Sequence, residues 1–241
     1  MLGIQRALSL IYPDQCVLCP ELVEASGGLC ANCWREMPFI RGLACATCGV
    51  PLPGQGDDTP SHCDDCLVLD RPWEAGRAAL VYRDAARRLV LKLKHGDRPD
   101  LAEPAVGWLQ AAGQDLFRED TVLVPVPIHW SRMIRRKFNQ SAELTRALAD
   151  HTGLGNCPDA LIRTRRTTTQ AGKTVDARFA NLHDAISANP KRTQTIKGRN
   201  VCLIDDVMTS GATLSVSTSA CLAAGARRVD VLVLARTEKA P

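Results

Sequence analysis

Beyond residue 76 the chain alternates between short apolar runs and stretches whose apolar residues recur every three or four positions. The runs 79–82 (ALVY), 121–126 (TVLVPV), 200–204 (NVCLI) and 229–234 (VDVLVL) predict strands, because short apolar runs bounded by polar or turn residues suit buried strands. Between them a helical period predicts helices over residues 85–94, 101–117, 141–151 and 213–224. Strands alternating with helices predict a parallel α/β sheet. In such a sheet, ligands bind beyond the carboxyl ends of the strands.

Residues 1–76 show no such period and are organised by cysteine instead. Eight of the eleven cysteines form four Cys-x-x-Cys pairs: Cys16/Cys19, Cys30/Cys33, Cys45/Cys48 and Cys63/Cys66. A two-residue gap lets a tight turn aim two thiolates at one tetrahedral centre, so two pairs complete a Cys₄ zinc site and four pairs provide for two Zn²⁺ ions. Gly27, Gly28, Gly49, Pro51 and Pro53 supply turn conformations near the pairs. Disulfides or a redox Cys-x-x-Cys are the competing readings. Which pairs share a metal stays open, since neighbouring and interleaved pairings have equally good local spacing. A closed all-Cys site leaves no position for water or substrate, so the zinc is expected to be structural. His62 is not needed as a ligand. Cys157, Cys202 and Cys221 fall outside the pattern, and for Cys202 and Cys221 a small buried hydrophobe is the default. Residues 51–60 read as a loop of this module and residues 69–74 as its exit linker.

The 241-residue length and 45% hydrophobic content suit one ordinary core plus a small module. The net charge of +4 hides an asymmetry, for residues 1–76 hold 4 Arg/Lys against 10 Asp/Glu while the remainder holds 26 against 16. The basic body suits an anionic partner such as pyrophosphate, a phosphosugar or nucleic acid, or is simply solvated surface. No run approaches a membrane span, and the apolar stretch 1–12 is interrupted by Gln5 and Arg6, so a cytoplasmic location is expected.

Two loops at predicted strand ends carry candidate chemistry. After the 200–204 run come Asp205 and Asp206, then Thr209, Ser210, Gly211, Ala212 and Thr213 opening a helix. Gly211 permits close backbone approach, successive N–H groups can cradle an anion, and the hydroxyls add donors at the positive helix end. The paired carboxylates suit two adjacent sugar hydroxyls, with Mg²⁺ held nearby through diphosphate oxygens and water. The second loop, residues 125–140 (PVPIHWSRMIRRKFNQ), brings Arg132, Arg135, Arg136 and Lys137 to a strand end, where they suit pyrophosphate. His129 and Trp130 are candidates for stacking or packing there. Residues 163–178, polar and basic around Gly172, read as a loop able to close over a diphosphate.

The segment VCLIDDVMTSGAT (201–213) resembles the phosphoribosyl-diphosphate (PRPP) motif of type I phosphoribosyltransferases. Together with the four Cys pairs, the second loop, LVLKLKHGD (89–97), TTTQ (167–170), Arg178 and Asn181, it makes nearly the whole chain similar to the ComF (GntX-like) family. The resemblance implies a type I phosphoribosyltransferase-like parallel sheet flanked by helices over residues 77–241. It implies a double zinc-ribbon-like module over residues 1–76. It further implies transfer of ribose 5-phosphate from PRPP with Mg²⁺, in which Asp205 and Asp206 orient the sugar, residues 209–213 hold its phosphate, and Arg132, Arg135 and Arg136 neutralise the leaving diphosphate. Natural competence and single-stranded DNA, or the DNA-uptake machinery, are the associated partners, and a non-catalytic DNA-binding or regulatory protein is the alternative. Lys137 stands where the family commonly has glycine, and the 170–173 segment also departs from the usual pattern.

Overall fold

The computed structural model describes residues 13–24, 27–56, 59–95, 101–128, 138–164 and 185–238. Its centre is a five-stranded, wholly parallel sheet in the order β1-β7-β6-β2-β3. The strands are β1 (Gly76–Val81), β2 (Val122–Pro125), β3 (Gly155–Asn156), β6 (Asn200–Met208) and β7 (Arg228–Arg236), while β4 (Leu161–Arg163) and β5 (Ile186–Ala188) form a separate antiparallel pair. The described helices are α1 (Ala31–Glu36), α2 (Asp64–Val68), α3 (Asp84–His95), α4 (Ala102–Gly113), α5 (Gln140–Thr152), α6 (Thr193–Ile196) and α7 (Ala212–Ala223).

The two-residue strand period sorts the apolar runs onto two faces. Leu123, Cys202, Ile204, Leu232 and Leu234 pack with Leu89 and Leu93 of α3, Leu109 of α4, and Leu144 and Leu148 of α5. Val122, Val124, Val201, Leu203, Val231 and Val233 pack on the other face with Leu214 and Cys221 of α7 and with Ile186 of β5. Because both faces are covered, the strands read as nearly unbroken apolar runs. Cys202 and Cys221 are fully buried members of these clusters, as a small hydrophobe should be.

All four predicted strands and all four predicted helices are present, with shifts at their ends. The helix expected over 101–117 gives way to a 3₁₀ turn at Gln114–Leu116. The break follows Gly113, where a Cβ would lie 2.7 Å from Leu232 Cδ2, so only glycine lets the helix end sit this close to the sheet. The strand expected to stop at residue 204 runs to Met208. Its pairing with β7 continues through Asp205↔Val233, Val207↔Ala235 and Met208↔Arg236, so both acids lie within the strand rather than in the loop beyond it.

The cysteine-rich head packs intimately on the body. Residues 38–40 cover the outer edge of β1: Phe39 bridges Leu80, Ile40 N–H donates to the Ala79 carbonyl, and Val81 N–H donates to the Pro38 carbonyl. This pairing protects an otherwise open sheet edge. The stretch expected to be an exit linker carries two buried side chains, Arg71 and Trp73, because both fill space between the head and the 208–211 segment. No described helix is long and apolar enough to cross a membrane.

Candidate functional site

The four Cys pairs converge as neighbours, the first with the second and the third with the fourth. The sulfurs of Cys16, Cys19, Cys30 and Cys33 all lie within 4.8 Å of one another, and so do those of Cys45, Cys48, Cys63 and Cys66. A tetrahedral ZnS₄ unit with bonds of about 2.3 Å has sulfur–sulfur edges of about 3.8 Å. The Cys19–Cys30 and Cys19–Cys33 separations are 3.6 Å and the Cys48–Cys63 separation is 3.7 Å, so the donor sets fit zinc in number, kind and spacing. In the second cluster a hydrogen bond from the Cys48 thiol holds the Cys45 thiol down at about 4, while the same bond and burial push Cys48 far up. His62 stands aside, its Nδ1 2.9 Å from Thr47 Oγ1.

At the carboxyl end of β6 the two predicted acids stand together, each with a partner. Ser141 Oγ donates to Asp205 Oδ1 at 2.8 Å, and the Asp206 backbone N–H donates to the same oxygen at 2.9 Å. Lys94 Nζ lies 3.0 Å from Asp206 Oδ1, with both side chains mostly buried. Burial, then the neighbouring Asp206 charge, pushes the Asp205 carboxyl up to about 7 against the bonds from Ser141 and the Lys94 cation.

The segment after β6 turns at Gly211, whose φ of +79° is left-handed and favours glycine. The space a Cβ would take there is filled by Arg71 Nη1 at 2.6 Å and Trp73 Cη2 at 3.1 Å, so the glycine admits the head's side chains as well as the turn. Ala212 N–H donates to Ser210 Oγ at 3.4 Å, and no side chain caps α7 from Gly211. The N–H groups of Ser210 and Gly211 meet no backbone acceptor among the described residues. A cavity of about 30 Å³ is lined here by Asp205 and by Thr209, Ser210, Gly211, Ala212 and Thr213, among others, so six of the seven residues expected at a sugar-phosphate site line it, while Asp206 does not.

Four contributors were not singled out as site residues in the sequence. Asn139 N-caps α5, accepting from Ser141 N–H at 3.2 Å and donating through Nδ2 to the Val126 carbonyl at 3.1 Å, so it ties the start of α5 to the end of β2 and brings Ser141 to Asp205. Asparagine before a helical run is a readable cap signal, but nothing marked Ser141 as facing an acid. Lys94 sits one position past Leu93 and four past Val90 on the buried side of α3, and a lysine at the edge of an apolar face was the available signal. Arg71 and Arg236 bond the 208–210 carbonyls from behind. The predicted pyrophosphate residues Arg132, Arg135, Arg136 and Lys137 lie outside the described residues, as do His129, Trp130, the TTTQ segment, Arg178 and Asn181.

Fold and site thus define a parallel α/β protein with a glycine turn and an acid pair at one strand end, joined to a head built on two Cys₄ zinc-binding sites. Residues 7–67 match the model of the double zinc ribbon domain. Over 236 residues the chain is 30% identical to the DNA utilization protein YhgH of Escherichia coli (strain K12), covering 95% of this chain and 99% of that protein. It is 26% identical over 228 residues to competence protein F of Haemophilus influenzae, covering 92% and 96%, and 24% identical over 232 residues to competence protein ComFC of Bacillus subtilis, covering 91% and 83%. The chain belongs to the ComF family of competence and DNA-utilisation proteins. Solved structures with some similarity include the allosteric regulatory enzyme of purine biosynthesis (20% identity, TM-score 0.38, 60% of this chain and 30% of that one). A hypoxanthine phosphoribosyltransferase from Staphylococcus aureus is another (16%, TM-score 0.33, 58% and 64%). Likenesses this slight add nothing to the reading of the site.

Proposed function

We propose that the chain binds PRPP at the carboxyl end of β6 and transfers its ribose 5-phosphate to an acceptor with release of pyrophosphate, in a process that serves the use of DNA. The observation that carries this reading is that Asp205 and the 209–213 turn line one cavity, with Asp206 next to Asp205 on β6 and paired with Lys94. A sugar phosphate offers what that spot is built to receive: a phosphate for the turn and the helix start, and adjacent hydroxyls for the carboxylates. The carboxylates also fit the Mg²⁺ that accompanies a diphosphate. In the transfer, an acceptor lone pair forms a bond to the anomeric carbon as the carbon–oxygen bond to the diphosphate breaks, and that bonding pair leaves with pyrophosphate. The chain's part is positioning and charge stabilisation. The Lys94 cation offsets part of the negative charge of the acid pair, which eases approach of an anionic ligand. Arg132, Arg135, Arg136 and Lys137 take the leaving diphosphate in this reading, and the names of the relatives support the link to DNA.

The test is a titration of PRPP and Mg²⁺ into the full chain and into an Asp205→Ala, Asp206→Ala double variant, with pyrophosphate release followed across a panel of bases and amines. Tight binding that the double variant loses, with its fold retained, supports the assignment, and equal affinity refutes it. Binding without release for any acceptor refutes the transfer while leaving the binding.

A second reading, a non-catalytic protein that holds single-stranded DNA, is favoured by one observation. Trp34, Phe39 and Trp108 form a tilted aromatic cluster with centroids 4.9 to 6.4 Å apart, Arg41 lies over the Phe39 ring, and Trp34 is 46% exposed. Exposed rings beside cations are what base stacking on single strands uses. Salt-sensitive single-strand binding that Trp34→Ala weakens, without pyrophosphate release, favours this reading.

A further inference from the structure

We propose that Arg71 and Arg236 form a clamp that aims the backbone N–H groups of the 209–211 turn at the phosphate, and that the second Cys₄ centre is the clamp's anchor. The phosphate ligand rests on the function proposed above, whereas the clamp rests on geometry alone. Arg236 Nη1 donates to the Met208 carbonyl at 3.2 Å and to the Thr209 carbonyl at 2.7 Å, and Arg71 Nη1 donates to the Ser210 carbonyl at 2.5 Å. Three successive carbonyls are therefore held by two guanidinium groups, both from residues under 10% exposed. Among the described residues no peptide is cis, and in a planar trans unit the carbonyl and the next N–H point in opposite directions. Fixing the 208, 209 and 210 carbonyls on the arginines turns the N–H groups of Thr209, Ser210 and Gly211 the other way. That is the side of the cavity lined by Asp205 and the 209–213 turn, which neither arginine lines. The Met208 carbonyl is also held by Thr237 N–H at 3.1 Å, but without the clamp the Thr209 and Ser210 carbonyls lose these partners and their peptides can rotate an oxygen toward an anion, which repels it. Two cations behind the turn add a favourable potential.

The anchor runs from the clamp into the metal centre. Arg236 Nη2 lies 3.8 Å from the sulfur of Cys48. The Arg71 guanidinium stacks over the Trp73 ring at 5.4 Å, and Trp73 Nε1–H donates at 2.6 Å to the carbonyl of Thr47, which sits between Cys45 and Cys48. Gly211 is what lets Arg71 and Trp73 reach the turn. These are positioning residues: they touch the turn and the ribbon, not the ligand. A planar fork stacked on a ring is a task lysine cannot reproduce.

The test uses the full zinc-loaded chain and its Arg71→Met and Arg71→Lys variants. Three quantities are read: zinc content, backbone ¹⁵N order parameters for residues 209–212, and affinity for PRPP with Mg²⁺. The clamp predicts that Arg71→Met keeps both zinc ions, shows lowered order parameters confined to the turn, and binds PRPP about tenfold more weakly or worse. Arg71→Lys should recover only part of either change. Wild-type order in the Arg71→Met turn overturns the clamp. If the wild type fails to bind PRPP while Arg71→Met still loosens the turn, the clamp stands and the proposed function falls. Should Arg71→Met lose zinc, Trp73→Phe takes its place, since it keeps an aromatic ring for Arg71 and removes the indole N–H that bonds Thr47, together with the Cη2 edge beside Gly211. Loosening of the turn with zinc retained then supports the anchor, and unchanged order overturns it.

Discussion

The two Cys₄ centres have the same ligands and the same Cys-x-x-Cys spacing within each pair, yet they hold different things. The first packs into the core on the α3 side, where Lys92 Nζ donates to the carbonyls of Val17 and Leu18 at 3.1 and 3.2 Å and Arg88 pairs with Glu36 at 2.8 Å. The second packs on the opposite face and meets the 208–211 turn through Arg236, Arg71 and Trp73. The first therefore steadies the helix that carries Lys94, and the second steadies the turn itself. A zinc module that looks like two repeats in the sequence is two differently employed props, so damage to them should not be equivalent.

The largest expected effect follows directly. Cys48→Ser should lose one zinc and, with it, weaken PRPP binding about tenfold or more, whereas Cys19→Ser should lose one zinc with a change of about threefold or less. Metal analysis with calorimetry on both variants measures this, and equal losses of affinity would erase the distinction. Next, Lys94→Met leaves the acid pair without its cation and should weaken PRPP binding by about fivefold. A smaller effect concerns acidity. Asp205 is pushed up from 3.8 to about 7 by burial and then by Asp206. A raised carboxyl binds its proton more tightly in the folded state, so the stability tied to it is present below the unfolded value and is lost as pH rises toward about 7. Asp205→Asn should remove that loss, so the Tm difference in the variant's favour should grow between about pH 5 and pH 8 in thermal melts. The smallest effect is Lys92→Met, which should lower stability by about 1 kcal/mol and leave PRPP affinity unchanged.

Much of this was legible in the sequence. The apolar runs marked β1, β2, β6 and β7 because strands buried on both faces leave an unmistakable signature. The Cys pairs announced their chemistry because metal ligation demands particular residues at fixed spacing, and the 205–213 segment was legible as a strand end, a glycine turn and a helix start. What stayed hidden was relational. β3 is two residues long and exposed, and β4 with β5 joins segments 23 positions apart at their facing ends, Arg163 and Ile186, too short to show a period. The pairing of the Cys knuckles, the reach of Lys94 to Asp206 and the arginines behind the turn all depend on which elements the fold brings together. Local spacing does not encode that.

The most direct test of the account is a crystal structure of the full chain with PRPP and Mg²⁺. The account predicts the 5-phosphate within hydrogen-bonding distance of the backbone N–H groups of Ser210 and Gly211, with the ribose hydroxyls on Asp205 and Asp206. Lys94 should stay beside the acids, and Arg71 and Arg236 should still hold the 208–210 carbonyls. A phosphosugar bound elsewhere, or a turn whose carbonyls face the phosphate, would contradict it.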